Sequence, residues 1–339
     1  MTDATIRDVA RRAQVSVASV SRALNNLANV SEQTRARVAD AVRELGYVPH
    51  AGARSLSLAR TNAIGVVLPD LHGEFFSEIV RGMDKEASGH GYLLLLSNMH
   101  AGTAQSTNVL TALRGRVDGM IVMAPHLSKD ELAATLPART PVILVNTLSE
   151  GHSGIRLDNA AGARAVAQHF LERGRKHIVH IAGPRGNIDA EERAAAFRKA
   201  LAGKGVHLEV VQGDFTEESG EAAIRSLLGS GTAFDAVFAA NDMMASGALQ
   251  ALRDAGIAVP KDVAVAGFDD IPLARYIGLT TVRVRIAELG ERAVQRLLGI
   301  LEGDDEAGGQ ELHSPELVIR TTRLSFDTPV SLNASTATQ

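Results

Sequence analysis

The sequence predicts a small all-α head followed by an α/β core of two similar lobes, and three observations lead to this fold class. Apolar residues recur at helical spacing over the first 46 positions. From residue 63 onward, apolar strands alternate with segments long enough for helices, which is typical of parallel sheets covered on both faces. Nine such strands exceed what one sheet in a chain of this length usually holds, so two lobes are the more economical arrangement.

Composition excludes several classes of protein. The chain has 339 residues and no Cys, which excludes disulfides, thiolate metal sites and cysteine nucleophiles. No apolar run approaches the ~20 residues that a membrane-spanning helix needs. The N-terminus also lacks the apolar stretch of a secretory signal. We therefore expect a cytoplasmic protein that has no membrane partner.

Charge is unevenly distributed along the chain. Residues 1–60 hold nine Arg and no Lys against five acidic residues, a net charge of +4. The remainder holds 26 basic and 34 acidic residues, a net charge of −8. A basic head on an acidic body indicates that only the head meets a polyanion. Chance clustering on a short segment is the alternative, and charge alone does not outweigh it.

The head is predicted to form a helix-turn-helix. Each of three helices follows a Ser or Thr at the cap position: Ile6–Ala13 after Thr5, Val17–Leu24 after Ser16, and Glu32–Leu45 after Ser31. Gly46 supplies a left-handed stop to the third helix. The link between the first two helices is short, as this motif requires.

The chain of the core is predicted to build the first lobe, then the second, and then to cross back between them. The nine strands are expected at 64–68, 92–97, 119–124, 141–146, 177–183, 207–212, 235–241, 262–268 and 280–285. A helix at 286–301 and a strand at 317–322 would then cross back over the gap. A cleft between two lobes is where a small ligand would bind.

These patterns divide the chain into five parts. They are a head at 1–46, a hinge at 47–62, a first lobe at 63–157 with 286–316, a second lobe at 158–285 with 317–327, and a disordered tail at 328–339. The hinge has too few apolar residues to bury alone and would fold on a partner. The tail is polar and has no apolar period.

Several motifs at matching intervals resemble the LacI/GalR family of bacterial repressors. They are TIRDVARRAQVSVASVSRALNN (5–26), VSEQTRARVADAVRELGYVP (30–49), ARSLSLARTNAIG (53–65), RVDGMIVM (116–123), LDNAAGA (157–163), AANDMMASGAL (239–249) and VPKDVAVAGFDD (259–270). The resemblance covers residues 5–327. It implies a homodimer that binds a pseudopalindromic operator in double-stranded DNA. A tetramer is the alternative, which the lack of leucine heptads in the tail disfavours.

The resemblance makes the second helix the one that reads the major groove. Val17, Ala18 and Arg22 would lie on its exposed face, with the two small residues offering apolar contact to thymine methyls and Arg22 pairing with guanine. A phosphate contact or a solvated charge is the alternative for Arg22. Further candidates are polar residues that would position the backbone phosphates: Thr5, Ser16, Ser19, Ser21, Asn25 and Asn29. A plain cap or turn role is an equal alternative for each.

The hinge of the family forms a helix on the operator. The resemblance makes Leu56 a wedge that enters the minor groove and kinks the duplex, flanked by Ala53 and Arg54. Packing of Leu56 on its own core is the alternative. Gly52 departs from the larger residue common there, which implies weaker packing between hinges.

The core resembles two Rossmann-like lobes of a periplasmic sugar-binding protein, reused as a sensor. Its implied effector-facing residues follow the C-terminal ends of parallel strands or begin the next helix: Phe75, Phe76, Asp158, Asn187, Asp189, Arg193, Asn241 and Asp269. One of the two adjacent Phe residues could pack in the core instead. Asp158 could equally be a helix cap or an interlobe residue.

The candidate residues favour a neutral mono- or disaccharide as the effector. An aromatic face packs on the C–H groups of a sugar, while Asn, Asp and Arg side chains bind its hydroxyls. Acidic residues outnumber Arg193 around the cleft, which disfavours a phosphorylated ligand; an inward-pointing Arg185 would weaken that argument. The purine-responsive family member has a basic residue at the position of Asn187 and Thr at that of Asp189, which argues against a purine.

No enzyme motif accompanies these features. The sequence has no HExxH, GxSxG or P-loop, and the adjacent Asp269 and Asp270 would point different ways. We expect no catalysis, cofactor or metal. The chain is expected to repress carbohydrate-utilisation genes; the alternative is the same DNA-binding role with a nucleoside, sugar phosphate or protein co-repressor as the signal. A transport protein would need a secretion signal and no basic head.

Overall fold

A computed structural model describes residues 4–25, 29–48, 60–99, 103–147, 151–304 and 309–320, without the side chains of 103–107. The chain separates into two compact units. The first holds residues 1–63 together with 116–118, and the second holds 64–115 and 119–339. The central part of the predicted hinge (49–59) and the predicted tail lie outside the described residues.

Three helices form the head, and their predicted bounds are confirmed. They are α1 (Ile6–Ala13), α2 (Val17–Leu24) and α3 (Glu32–Leu45). Val9, Val20 and Val38 are almost completely buried in a small core between the helices. Gly46 ends α3 with a φ of 59°, as its prediction as a left-handed stop requires.

The first lobe of the second unit is built on a six-stranded sheet. Its strands are β1 (Ala63–Leu68), β2 (Leu93–Asn98), β3 (Gly119–Val122), β4 (Val142–Val145), β5 (Ser153–Leu157) and β11 (Gln310–His313), in the spatial order β11-β5-β4-β3-β1-β2. The pairings from β11 to β1 are parallel. Its helices are α4 (Glu74–Gly89), α5 (Thr103–Leu113), α6 (Lys129–Thr135) and α12 (Ile286–Glu302).

The second lobe is built on a four-stranded parallel sheet. Its strands are β6 (His177–Ala182), β7 (His207–Gln212), β8 (Ala236–Ala239) and β9 (Ala264–Ala266), in the order β7-β6-β8-β9. Its helices are α7 (Asn159–Glu172), α8 (Ile188–Leu201), α9 (Glu217–Gly229), α10 (Asp242–Asp254) and α11 (Pro272–Tyr276). A separate antiparallel pair joins β10 (Thr281–Arg283) to β12 (Glu316–Val318).

All nine predicted strands are present, and two more were not predicted. The missed strands, β5 and β11, are short, and β11 carries three polar residues in its four positions, so neither shows an apolar run. The strand predicted at 317–322 begins one residue earlier and ends at Val318, since residues 319 and 320 are described and are not in a strand. None of the described helices combines the length and apolarity that a bilayer crossing requires.

Glycines allow two helices of the first lobe to meet backbone to backbone. A Cβ at Gly82 of α4 would lie 2.0 Å from the carbonyl oxygen of Ala287 in α12. A Cβ at Gly290 of α12 would lie 2.2 Å from the carbonyl oxygen of Ile79. No larger residue fits this contact without separating the helices. The close approach fixes α12, which comes late in the chain, against the first helix of the lobe.

Candidate functional site

The exposed face of α2 carries the predicted DNA-reading residues. Val17, Ala18 and Arg22 are exposed, whereas Val20 is buried against the other helices of the head. Ser16, which precedes the helix, and Val17 and Ala18, which begin it, are therefore accessible together with Arg22. This geometry is the one a recognition helix needs, because its N-terminal side chains meet the base edges.

The predicted phosphate-contacting residues differ in their exposure, and two of them are also at helix N-caps. The hydroxyl oxygen of Ser16 accepts from the backbone N–H of Ser19 at 3.1 Å, and the Asp8 carboxylate accepts from the backbone N–H of Thr5 at 3.0 Å. Thr5, Ser16 and Asn29 are exposed, whereas Ser19, Ser21 and Asn25 are half-buried. The hinge candidates lie outside the described residues: Ala53, Arg54 and Leu56.

A cavity of about 330 Å³ lies between the two lobes of the core. Its wall includes seven of the eight residues predicted to face an effector: Phe75, Phe76, Asn187, Asp189, Arg193, Asn241 and Asp269. They meet there because Asn241 and Asp269 closely follow the C-terminal ends of β8 and β9, while the others open helices that follow β1 and β6. Hydrogen bonds also join the lobes, among them one from the backbone N–H of Ile188 to the Pro125 carbonyl (3.0 Å) and one from that of Leu273 to the Glu74 carboxylate (2.9 Å).

Asp158 is the predicted residue that does not line the cavity. Its Oδ1 accepts from the backbone N–H of Ala161 at 2.8 Å, which caps α7. The carboxylate therefore satisfies one of the unpaired backbone donors at the start of that helix. The sequence left open whether Asp158 caps a helix or lies between the lobes, and in the structure it caps α7.

Arg193 is the centre of the polar floor. It is 4% exposed, its Nε donates to Oδ1 of Asn159 at 2.8 Å, and its Nη1 donates to the Ala240 carbonyl at 2.5 Å. Its Nη2 lies 3.6 Å from Oδ1 of Asp269, and its Cζ lies 3.8 Å from the centroid of the Phe268 ring. The guanidinium is therefore held rigidly on one side of the cavity.

Asp269 is a buried carboxyl group beside that guanidinium. Its φ is 110°, a left-handed conformation that non-glycine residues rarely adopt and that marks functional sites. Burial raises the pKa of Asp269 to about 7, although the positive charge of Arg193 acts in the opposite direction. Its Oδ1 has no hydrogen-bond partner among the described residues. Near neutral pH the group can therefore accept or donate a hydrogen bond to a ligand hydroxyl.

The other predicted polar residues are tied to the protein itself. Asp189 is buried and accepts from Nδ2 of Asn159 at 2.7 Å, and burial is the main cause of its raised pKa. Asn187 caps α8 through its side-chain oxygen, which accepts from the backbone N–H of Ala190. Asn241 caps α10 through its oxygen, and its Nδ2 donates to the Phe215 carbonyl at 3.0 Å. Asn241 thus positions the loop that carries Phe215.

Aromatic rings line both lobes of the cavity. Phe75 and Phe76 are both half-buried and meet edge to face, with ring centroids 5.4 Å apart, so neither is fully withdrawn into the core. Phe215, which the sequence patterns did not predict, lines the cavity from the second lobe with a φ of 75°. A Cβ at Gly183 would lie 2.5 Å from its ring, so Phe215 depends on that glycine. Phe215 follows the C-terminal end of β7, and this position in the sequence could have predicted that it lines the cavity.

The sequence patterns did not predict three further charged and polar residues of the wall, and they left the orientation of Arg185 open. Asp70, Asp214 and His126 line the cavity, and so does Arg185, whose Nε donates to Gln212 at 3.3 Å. Burial lowers the pKa of His126, so its imidazole is neutral near pH 7. Four carboxyl groups still face two arginines around the wall. Carboxyl groups thus outnumber arginines even with Arg185 included, but Asp158 is not among them, and burial raises the pKa of Asp189 and Asp269.

Two families match the chain. The family described as bacterial regulatory proteins, lacI family, matches residues 5–50, which hold the three head helices. The family described as periplasmic binding protein-like domain matches residues 167–323, which hold the whole second-lobe sheet and the final strands. The two matches correspond to the head and to most of the latter half of the core.

Relatives match over nearly the full length. The HTH-type transcriptional regulator GalS of Salmonella typhimurium is 38% identical over 324 residues, which cover 93% of this chain and 95% of that protein. The lac repressor dimer bound to operator and the anti-inducer ONPF has a TM-score of 0.86 at 30% identity, covering 96% of this chain and 100% of that one. The transcriptional regulator CelR in its complex with cellobiose has a TM-score of 0.68 at 30% identity, covering 94% and 100%. The chain is therefore a member of the lacI family of bacterial regulatory proteins.

Proposed function

We propose that the chain is a cytoplasmic, homodimeric transcription regulator whose affinity for a pseudopalindromic operator changes when a small neutral sugar binds between its lobes. The target is a set of carbohydrate-utilisation genes, and the role is that of a repressor. Arg22 reads guanine in each half-site, and Val17 and Ala18 contact thymine methyls. The regulator needs no cofactor.

The chemistry of the cavity carries the sugar assignment. Aromatic rings at Phe75, Phe76 and Phe215 offer apolar faces to the C–H groups of a sugar ring, while Arg193 and Asp269 bring fixed donors and an unsatisfied acceptor to its hydroxyls. A volume of about 330 Å³ lies within the range of small-molecule sites. The relative solved with cellobiose supports a carbohydrate ligand.

Charge argues against a phosphorylated effector. Asp70 and Asp214 line the cavity, and only two arginines in the wall would balance a phosphate. Asp189 and Asp269 add to the repulsion only where they are ionised, because burial raises their pKa. Arg185 is the observation that favours a sugar phosphate as the second candidate, because it lies exposed at the rim. A nucleoside remains the other alternative, since flat bases also stack on aromatic rings.

A thermal-unfolding screen of the full chain tests the proposal. The panel contains D-glucose, D-galactose, D-ribose and cellobiose, the corresponding monosaccharide phosphates, and adenosine and cytidine. A ligand at 100 times its dissociation constant stabilises the core by about 2.7 kcal/mol, which gives a measurable rise in Tm. A rise with a neutral sugar supports the proposal. A rise only with phosphates or nucleosides replaces the sugar with that class.

The same screen contains an internal control for the site. A Phe215→Ala variant removes an aromatic wall without touching the buried ion pair at Arg193. A sugar that binds between the lobes should lose its effect on Tm in this variant. An unchanged rise in Tm would place the sugar elsewhere.

A further inference from the structure

Four polar side chains form a continuous path from the floor of the cavity to the opposite lobe. Arg193 donates from Nε to Oδ1 of Asn159 at 2.8 Å. Asn159 donates from Nδ2 to Oε2 of Glu192 at 3.1 Å. The other carboxylate oxygen of Glu192 accepts from Nη2 of Arg156. We call these four residues the interlobe relay.

The relay joins the two lobes. Arg156 lies on β5, in the sheet of the first lobe, whereas Glu192 and Arg193 lie on α8 of the second lobe. The side chains of Arg156 and Glu192 are 26% and 31% exposed. Because they are partly shielded from water, their attraction is screened less than that of a fully exposed pair. The ion pair is therefore a contact that stabilises the present arrangement of the two lobes.

Asn159 is held by charged partners on both sides of its amide. The side chain is 1% exposed, its oxygen faces the guanidinium of Arg193, and its nitrogen donates to the carboxylates of Asp189 and Glu192. An amide offers one acceptor and two donors in a single plane, which matches these partners. Asp has the same shape but would lose both donors and place a third carboxylate beside two others. The amide therefore fixes where Arg193 and Asp189 lie.

We propose that Asn159 is a positioning residue that couples the arginine of the cavity to the ion pair between the lobes. When Arg156 and Glu192 are bridged, Asn159 accepts from Nε of Arg193 and orients the guanidinium. When the bridge breaks, Glu192 releases Asn159, and the guanidinium keeps its contacts with Ala240 and Phe268 but loses the hydrogen bond that orients it. The inference rests on the proposed function, because it takes the cavity as the effector site. Lobe closure and preorganisation of the ligand-binding arginine then favour one another.

The first test measures the separation of the lobes in the sugar-free protein. The absence of Cys allows spin labels to be placed at Lys199→Cys on α8 and Gln295→Cys on α12, both at exposed positions in different lobes. Unlabelled protein, added in excess, removes distances between protomers. Arg156→Gln and Glu192→Gln should each lengthen and broaden the distance distribution. Arg225→Gln is the matched control, since it removes ion pairs to Glu221 and Asp254 that lie within one lobe.

The second test follows Arg193 directly. In protein labelled with ¹⁵N-arginine, the Nε–Hε signal of Arg193 is assigned by its loss in Arg193→Lys. The relay predicts that Arg156→Gln shifts this signal and speeds its exchange with solvent, although Arg156 does not touch Arg193. Asn159→Asp should have the larger effect, and Arg225→Gln should have none.

The outcomes separate the relay from a local structural role. Longer distances together with an altered Arg193 signal support the proposal. Unchanged distances in both Arg156→Gln and Glu192→Gln overturn it, and so do longer distances with an unaltered Arg193 signal, because the bridge would then act without Asn159. Both measurements use protein without sugar. A failed sugar screen would therefore reject the proposed effector, while the interlobe relay would still be tested by these two measurements alone.

Discussion

Asp269 and Asp270 are neighbours in sequence whose carboxyl groups lie in opposite electrostatic environments. Asp269 is buried beside the cavity, whereas the oxygens of Asp270 lie 2.6 Å from both Arg283 and Arg320. Burial raises the pKa of Asp269 to about 7. Burial also acts to raise the pKa of Asp270, but hydrogen bonds and charge from Arg320 and Arg283 outweigh it and lower that pKa. The sequence-based expectation that the two carboxyl groups point different ways is confirmed.

Asp269→Asn should stabilise the protein more at pH 8 than at pH 4.5. Folded Asp269 holds its proton more tightly than the unfolded chain, so the free energy of unfolding falls as pH rises from about 4 to about 7, and the variant does not incur that loss. Urea unfolding across this range measures the effect. Asp270→Asn is the matched control, and its trend is the opposite. Because the pKa of Asp270 is lowered in the folded protein, this variant should be less stable than the wild type at neutral pH, and the difference should shrink as the pH falls. A parallel trend in the two variants would contradict the assignment.

Arg22 is expected to determine base preference as well as affinity. Arg22→Gln should cost about 1–3 kcal/mol on the preferred site, a loss of roughly 5- to 150-fold, because a bidentate contact to guanine is removed. The site is first selected from random duplexes with the wild-type protein, and affinities are then measured with that guanine present and replaced. Arg37→Gln on α3 removes the same charge from another helix of the head. Equal losses on both duplexes would make Arg22 a phosphate contact.

Each lobe contains a pair of helices that pack backbone against backbone at a glycine. Gly82 and Gly290 let α4 and α12 touch through their backbones, although 207 positions separate the two residues. The same device recurs in the second lobe, where a Cβ at Gly220 of α9 would lie 2.1 Å from the carbonyl oxygen of Met244 in α10. Each lobe thus has one helix pair whose spacing is set by an absent side chain.

Gly82→Ala is expected to destabilise the core by about 1–3 kcal/mol, because the added methyl group must push α12 away from α4. Gly89→Ala, at the end of the same helix, meets no atom within 4 Å. That variant should be neutral or gain up to about 1 kcal/mol from helix propensity. Thermal unfolding compares the two. Equal Tm values would show that the helices separate at no cost.

Sequence patterns predicted the elements far better than the contacts that unite them. The head helices were predictable because Ser, Thr and Gly mark their ends. Strand β11 was not, since its polar residues are paired to β5 only by the fold. Asn159 and Phe215 escaped for a related reason: their roles depend on neighbours that are distant in sequence. Strand ends predicted seven residues of the cavity wall, and Asp158 shows that a strand end alone does not place a side chain in it.

For the whole molecule, the proposed function requires that operator and effector act on one another equally. If a neutral sugar weakens operator binding by a given factor, the operator must weaken sugar binding by the same factor. Titration calorimetry of sugar into the free protein and into its operator complex gives one factor, and operator binding with and without saturating sugar gives the other. Unequal factors would mean that the sugar also acts through a further site or a change in oligomeric state.

The order of strands in the first lobe has a consequence for how the protein is made. The sheet that begins with β1 at residue 63 receives its last strand, β11, at residues 310–313, after the whole second-lobe sheet has been synthesised. On the ribosome, the second lobe can therefore close its sheet while the first still has an open edge beside β5 and lacks α12. The lobe that starts first is completed last, and nascent chains that stop before residue 310 leave that edge open to unwanted pairing.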